Sequence, residues 1–201
     1  MSGPQPAAMH ISEARERTVV VLLFGPNCAG KSTVGTAVAG MLRRCAFIEV
    51  DVLYHMVVAG LVTYDGRLSP AQQSEEYRQQ CRPSVENAVR LAHGFAEYGF
   101  SSVIDGLEDE CRAGSDWAES NFPAFTVANV AVVCNEIELT RRWSGRGWGN
   151  GLPQVVRDSL EWYRDNASRF DIVVDATDDP AEVNASRVAC ELQRRFLQTE
   201  P

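Results

Sequence analysis

A chain of 201 residues with 45% hydrophobic and 23% charged side chains suits one globular domain with a substantial core, or such a domain with a small inserted lobe. Its net charge of −8 argues against a protein whose task is gripping nucleic acid, which needs a basic surface, and makes a small-molecule partner the better expectation. Six cysteines at 28, 45, 81, 111, 134 and 190 form no CxxC pair and no regular spacing, so neither a zinc site nor a disulfide framework is expected, and the protein is read as cytoplasmic and reduced.

Residues 1–17 carry Gly3, Pro4 and Pro6 and lack the apolar segment of a secretory signal, so they read as a flexible tail. Thr18–Phe24 is a nearly continuous apolar run, the pattern of a strand buried on both faces, and is too short to cross a bilayer. A loop from Gly25 to Thr33 then opens a helix on which Val34, Val38 and Leu42 share a face. Ala46–Val50 is the second apolar run. Residues 52–82 fit the alternation least well: the polar stretch Thr63–Glu76, broken by Gly66 and Pro70, reads as a helical insertion over the sheet edge. Pro83 suits the first position of a helix along which Val85, Ala88, Val89, Ala92 and Phe95 keep the helical period, and Gly99 ends it. Ser101–Ile104, Val127–Cys134 and Asp171–Asp175 are the third, fourth and fifth runs. Asp179-Pro180-Ala181-Glu182 reads as a cap, a proline at the first position and a glutamate three residues on. Val183, Val188, Leu192 and Phe196 then mark the partly apolar side of a last helix. Five strand-like runs alternating with helices predict an α/β fold with a parallel sheet wrapped by helices.

The chemistry concentrates in Gly25-Pro26-Asn27-Cys28-Ala29-Gly30-Lys31-Ser32-Thr33, which satisfies GxxxxGK[ST] at every required position, directly after a strand and at the start of a helix. Gly25 and Gly30 permit backbone angles that turn successive N–H groups into one concavity, an anion cradle to which the helix start adds its positive end. The backbone of Asn27, Cys28, Ala29 and Thr33 completes the cradle. Lys31 supplies a cation for the β- and γ-phosphates, and the Ser32 hydroxyl is a Mg²⁺ ligand. The loop thus predicts a nucleoside triphosphate, ATP with Mg²⁺.

From the loop to the final helix the sequence resembles the small P-loop kinases of the shikimate, gluconate, adenylylsulfate and chloramphenicol phosphotransferase type. The loop is the most specific part of the resemblance. At the end of the second run, Glu49-Val50-Asp51, the resemblance implies that Asp51 receives the acceptor hydroxyl and takes its proton. A carboxylate there lies in the crevice outside the strand ends. The competing use of Asp51 is to cap the helix that follows. Phe100–Gly106 has the apolar-then-Asp form of a Walker B strand, so Asp105 is a candidate to hold Mg²⁺ through a bound water. In Glu136–Gly147 the resemblance implies one arginine on a helix, Arg142 or Arg141, and a second, Arg146, on a lid at 143–153 that Gly145, Gly147, Gly149 and Gly151 make pliable. The turn at Asp178 and Asp179 implies an approach to adenine through backbone.

Some residues depart from related patterns. The TKxD and NKxD signatures of guanine binders are absent. The Pro-Arg that grips a monophosphate after Asp105-Gly106 is replaced by Glu108, Asp109 and Glu110, either an exposed acidic turn or a filter favouring a neutral or cationic acceptor. Arg78 and Arg82 are candidates for touching substrate, Trp148 for stacking on a ring, and His55 and His93 read as structural. The sequence therefore predicts a single P-loop kinase domain over 18–201: a three-layer sandwich with a five-stranded parallel sheet, a substrate-covering insertion at 52–82 and a short lid. Its expected partners are ATP and a small-molecule hydroxyl acceptor, with no membrane and with nucleic acid disfavoured by the charge. A nucleoside, nucleotide or polynucleotide 5′-kinase, and a non-catalytic ATP-binding switch, are the rival readings.

Overall fold

The computed structural model describes residues 17–65, 67, 68, 72–107 and 115–197; Gly66, Pro70, Glu108, Asp109, Glu110 and Cys111 lie outside them. The strands β1 (Val19–Phe24), β2 (Cys45–Glu49), β3 (Ser101–Asp105), β4 (Thr126–Val133) and β5 (Ile172–Asp175) form one parallel sheet in the order β2-β3-β1-β4-β5. All six side chains of β1 are buried, as its unbroken apolar run requires of a central strand. Helix α1 (Lys31–Met41) carries the chain outward from β1 to β2, and α3 (Glu75–Glu97) brings it back from β2 to β3. Right-handed crossovers in opposite directions put these two helices on opposite faces, which makes three layers. Short α2 (Val50–Tyr54) follows β2, and α4 (Ser115–Asn121) links β3 to β4. Helices α5 (Glu136–Gly145) and α6 (Gln154–Asp165) join β4 to β5, and α7 (Ala181–Leu192) closes the described chain before a π turn at Gln193–Leu197. No helix among the described residues is long and apolar enough to cross a membrane.

The chain order reverses direction across the sheet at β1, so the crevice outside its carboxyl end is the switch point where open α/β sheets bind ligands. Register sharpens that placement: Leu23 of β1 and Glu49 of β2 both lie opposite Asp105 of β3.

Several sequence expectations need correction. The helix expected to begin at Pro83 begins at Glu75. Ser74 caps it by accepting a 3.1 Å bond from the Tyr77 amide, Glu75 and Glu76 complement the positive helix end, and Pro83 lies inside. A proline can sit there because one missing N–H is offset by the buried Ser84, Ala88 and Ala92 packing the same helix onto the sheet. The far end follows expectation: Gly99 has a φ of 75°, and the bonds Gly99 N–H to Ala96 and Phe100 N–H to Phe95 close a Schellman motif. Residues 52–82 are helical only at their ends, with 55–65 irregular between. Asp51 does not cap α2; it sits in its first turn, Glu49 occupies the cap, and no side chain bonds there. Pro180, rather than Asp179, is the cap residue of α7. Trp143 belongs to α5 and is buried in the core, so the glycine-rich stretch begins after it.

Candidate functional site

Each element of the phosphate loop is forced by local geometry. Gly25 leaves β1 with a φ of 145°, and a Cβ there would stand 2.0 Å from the Val132 carbonyl oxygen, so only glycine fits beside β4. Gly30 has a φ of 103° and serves as the left-handed cap of α1, turning the loop into the helix start. The Lys31 ammonium folds back and donates to the carbonyls of Gly25 (2.8 Å) and Pro26 (3.2 Å), which centres its charge over the loop.

Below the loop, the Ser32 hydroxyl donates a 2.6 Å bond to Asp105 Oδ2. Asp105 is buried, and its other oxygen, Oδ1, has no hydrogen-bond partner among the described residues. A carboxylate half-satisfied in a dry place is costly unless something cationic completes it. One hydroxyl and one carboxylate fit Mg²⁺, which takes few protein ligands and keeps waters and phosphate oxygens for the rest. No cluster of three or more His, Cys, Asp or Glu side chains is found among the described residues.

The two adjacent arginines separate. Arg141 stays at the surface on Glu138, whereas Arg142 reaches the loop: its Nη1 donates to the Ala29 carbonyl (2.6 Å), its Nη2 to the Ala176 carbonyl (2.7 Å) and its Nε to Glu138 (2.7 Å). Arg146 caps the end of α5 and lies 5.0 Å over the Trp148 ring, which in turn meets Trp143 edge-on. Trp148 thus spends one contact on an arginine and one on a core residue. Cys28 marks where the cations converge. Burial pushes its thiol pKa up, while the charges of Arg146, Lys31 and Arg142 pull it down. Gly147, Gly149 and Gly151 all have positive φ.

Asp51 is exposed at the carboxyl edge, two residues past Glu49, and its carboxylate has no hydrogen-bond or ion-pair partner among the described residues. Nδ1 of His55 lies 2.7 Å from the Asp51 carbonyl, a helix-end contact, and His93 stacks on Phe122 with Nε2 2.8 Å from the Asn121 carbonyl.

The wall opposite the loop comes from α3. Its 23 residues run roughly 34 Å, whereas the five residues of β3 cover roughly 17 Å from the same turn. The first half of α3 therefore overhangs the carboxyl edge of the sheet. A groove of about 390 Å³ runs along this helix, lined by Tyr77, Arg78, Cys81, Arg82, Val85, Glu86, Val89, Trp117 and Asn121 and, among the described residues, by none of the phosphate loop, a volume suited to a small molecule. Arg78 and Arg82 are thus on the groove, with Arg78 bonded to Glu75 and Arg82 to Glu86.

Three participants escaped the sequence reading. Tyr64 Oη accepts a 3.2 Å bond from Asn27 Nδ2, and its ring packs on Tyr77, which packs on Tyr54. Gln80 fastens the irregular segment to α3, accepting from Val62 N–H (2.8 Å) and donating to the Gly60 carbonyl (2.9 Å). Glu138 holds both arginines. Only Glu138 had a signal, its four-residue spacing from Arg142 in a helix.

The comparisons agree with this geometry. No curated protein matches the sequence. Among solved structures, the chain is similar to the tunicamycin resistance protein of Deinococcus radiodurans (TM-score 0.63, 12% identity, covering 92% of this chain and 99% of that one). It is similar to shikimate kinase from Bacteroides thetaiotaomicron (TM-score 0.58, 19% identity, 87% and 98%). It also resembles the APS kinase of Mycobacterium tuberculosis, solved with AMPPNP and APS (TM-score 0.56, 16% identity, 89% and 98%). At these identities the likeness establishes the P-loop kinase fold. The family model described as chloramphenicol phosphotransferase-like protein matches residues 18–193, and the chain belongs to that family.

Proposed function

We propose that this P-loop phosphotransferase moves the γ-phosphoryl group of Mg²⁺-ATP onto a hydroxyl of a small molecule bound in the crevice between the phosphate loop and α3. The observation that carries the reading is the buried Asp105, bonded on one oxygen to Ser32 and bare on the other, directly beneath a complete phosphate cradle. The family match and an APS kinase relative solved with AMPPNP support a nucleotide donor.

In this reading Ser32 and Asp105 would hold Mg²⁺, which when bound would supply positive charge for the phosphate oxygens. The remaining work falls to side chains. Lys31 releases its loop carbonyls to meet the β- and γ-phosphates, and Arg146 approaches from the glycine-rich stretch to neutralise the transferring group. Asp51, unpaired at the strand edge, accepts the hydroxyl proton as the acceptor oxygen bonds the γ-phosphorus, so ADP leaves and a phosphate monoester forms. The groove along α3 holds the body of the acceptor.

The test is a coupled ADP-release assay with Mg²⁺-ATP against aminoglycosides, nucleosides, sugars, phenicols and other hydroxyl compounds, with Lys31→Ala as control. A compound that stimulates Lys31-dependent release and gains one phosphate by mass supports the reading. Tight ATP binding with no phosphorylated product from any class would sink it in favour of a binding switch.

A further inference from the structure

The most heavily bonded side chain at the loop is Arg142, and its bonds join two distant segments. One is the loop itself at Ala29. The other is the turn after β5 at Ala176. Both alanines are buried, so their carbonyls depend on protein donors. The planar guanidinium meets both at once, with bonds of 2.6 and 2.7 Å. It also lies close against the loop: a Cβ added at Gly30 would stand 3.1 Å from Nη1.

A guanidinium on a flexible stem holds such a pose only if something fixes its third edge. Glu138 does so, one helical turn earlier, with a 2.7 Å bond to Nε. Its own position is set twice over. The Glu138 amide donates to the Asn135 cap (2.8 Å), and its carboxylate also receives two 2.6 Å bonds from Arg141. Those hydrogen bonds, first from Arg141 and then from Arg142, hold the carboxyl at about 2, against an ordinary 4.5, so it is ionised throughout the working range.

We propose that Glu138 is the positioning residue of the nucleotide site: it holds Arg142 as a strut that fixes the span between the phosphate loop and the turn after β5. The inference rests on the nucleotide reading above. In this proposal the base of ATP reaches toward the turn after β5, whereas inorganic tripolyphosphate reaches only the loop. Loss of the strut therefore penalises ATP and spares tripolyphosphate, a split that general destabilisation of the loop does not produce.

The experiment titrates the full chain with Mg²⁺-ATP and with Mg²⁺-tripolyphosphate by calorimetry, using wild type, Glu138→Gln, Glu138→Asp and Glu136→Gln. Glu136 sits in the same helical turn but pairs with Arg157, so it controls for loss of an acid near the helix start. For Glu138→Gln, ATP affinity should fall roughly tenfold or more, the loss expected for a charged hydrogen bond, with tripolyphosphate within about twofold. Glu138→Asp should recover most of the loss, and Glu136→Gln should move neither ligand. Arg142→Lys keeps the cation and loses the fork, and should reproduce the ATP-selective loss if Glu138→Gln does not fold. Equal losses for both ligands, or unchanged ATP affinity, overturn the strut. Failure of the wild type to bind Mg²⁺-ATP overturns the nucleotide reading and the strut with it.

Discussion

Ser32, the first serine of α1, donates its hydroxyl to Asp105 at the end of β3, 73 residues later, across 2.6 Å. The pairing follows from register: β1 and β3 lie side by side with Leu23 opposite Asp105, so the strand that ends in the loop and the strand that ends in the carboxylate finish together. The bond leaves Asp105 Oδ1 buried and bare, and that oxygen drives the first prediction.

Asp105→Asn should keep the shape and the Ser32 contact while removing the charge that a divalent cation would share. The Mg²⁺ concentration for half-maximal ADP release should rise roughly tenfold or more, because a charge-assisted contact is worth about twice a neutral one. An unchanged Mg²⁺ titration would take Asp105 out of the metal site.

Asp51 is exposed, unpaired and absent from the cap of α2, so its removal has little to disturb in the fold. Asp51→Asn should lower kcat by about 10²- to 10⁴-fold, the usual worth of general-base catalysis, with ATP affinity unchanged. Single-turnover phosphorylation of the acceptor beside ATP calorimetry separates the two.

Gly25→Ala is a prediction about folding. The added methyl would stand 2.0 Å from the Val132 carbonyl oxygen, at a backbone angle that L residues avoid. Neither partner is the end of a flexible chain, so β1 and β4 must part. A loss of about 3 kcal/mol or more is expected in urea unfolding. A loss below about 1 kcal/mol would mean that the strands yield easily there.

The depressed Glu138 carboxyl fixes the sign of a pH effect. Its folded value is about 2 and its ordinary value 4.5, so the stability it contributes is complete above about 4.5 and is lost as pH falls through 2. The difference in melting temperature between wild type and Glu138→Gln should therefore shrink as pH is lowered from 4.5 toward 2. A constant difference across that range would deny the Glu138 carboxylate its role in stability.

Where the sequence was readable, the reason is local. The loop of Gly25–Thr33 needs only its own residues to specify a shape, and β1 announces its burial by six apolar side chains in succession. Gly99 marked a helix end because a single left-handed residue defines that motif. The start of the same helix was hidden: Pro83 carried a strong start signal, and Ser74-Glu75-Glu76 a weaker one that packing and capping made decisive. Choosing between Arg141 and Arg142 was beyond sequence for a different reason. The two are neighbours in the chain, and what separates them is the carbonyl of Ala29 on one side and that of Ala176 on the other, both far away in sequence. The tyrosine stack and the Gln80 clasp depend on an irregular segment whose path no periodicity describes.

That segment is tethered unequally. Toward the helices it is held by the Tyr54 hydroxyl on Val62 and by both arms of Gln80. Toward the phosphate loop, the hydrogen bond from the Asn27 side chain to Tyr64 is exposed, and such a bond is worth about 1 kcal/mol in water. In the proposed function, the wall around the acceptor would travel with α2 and α3. If the loop reshapes itself around phosphates as the proposed function requires, the acceptor side would keep the form that Tyr54 and Gln80 give it.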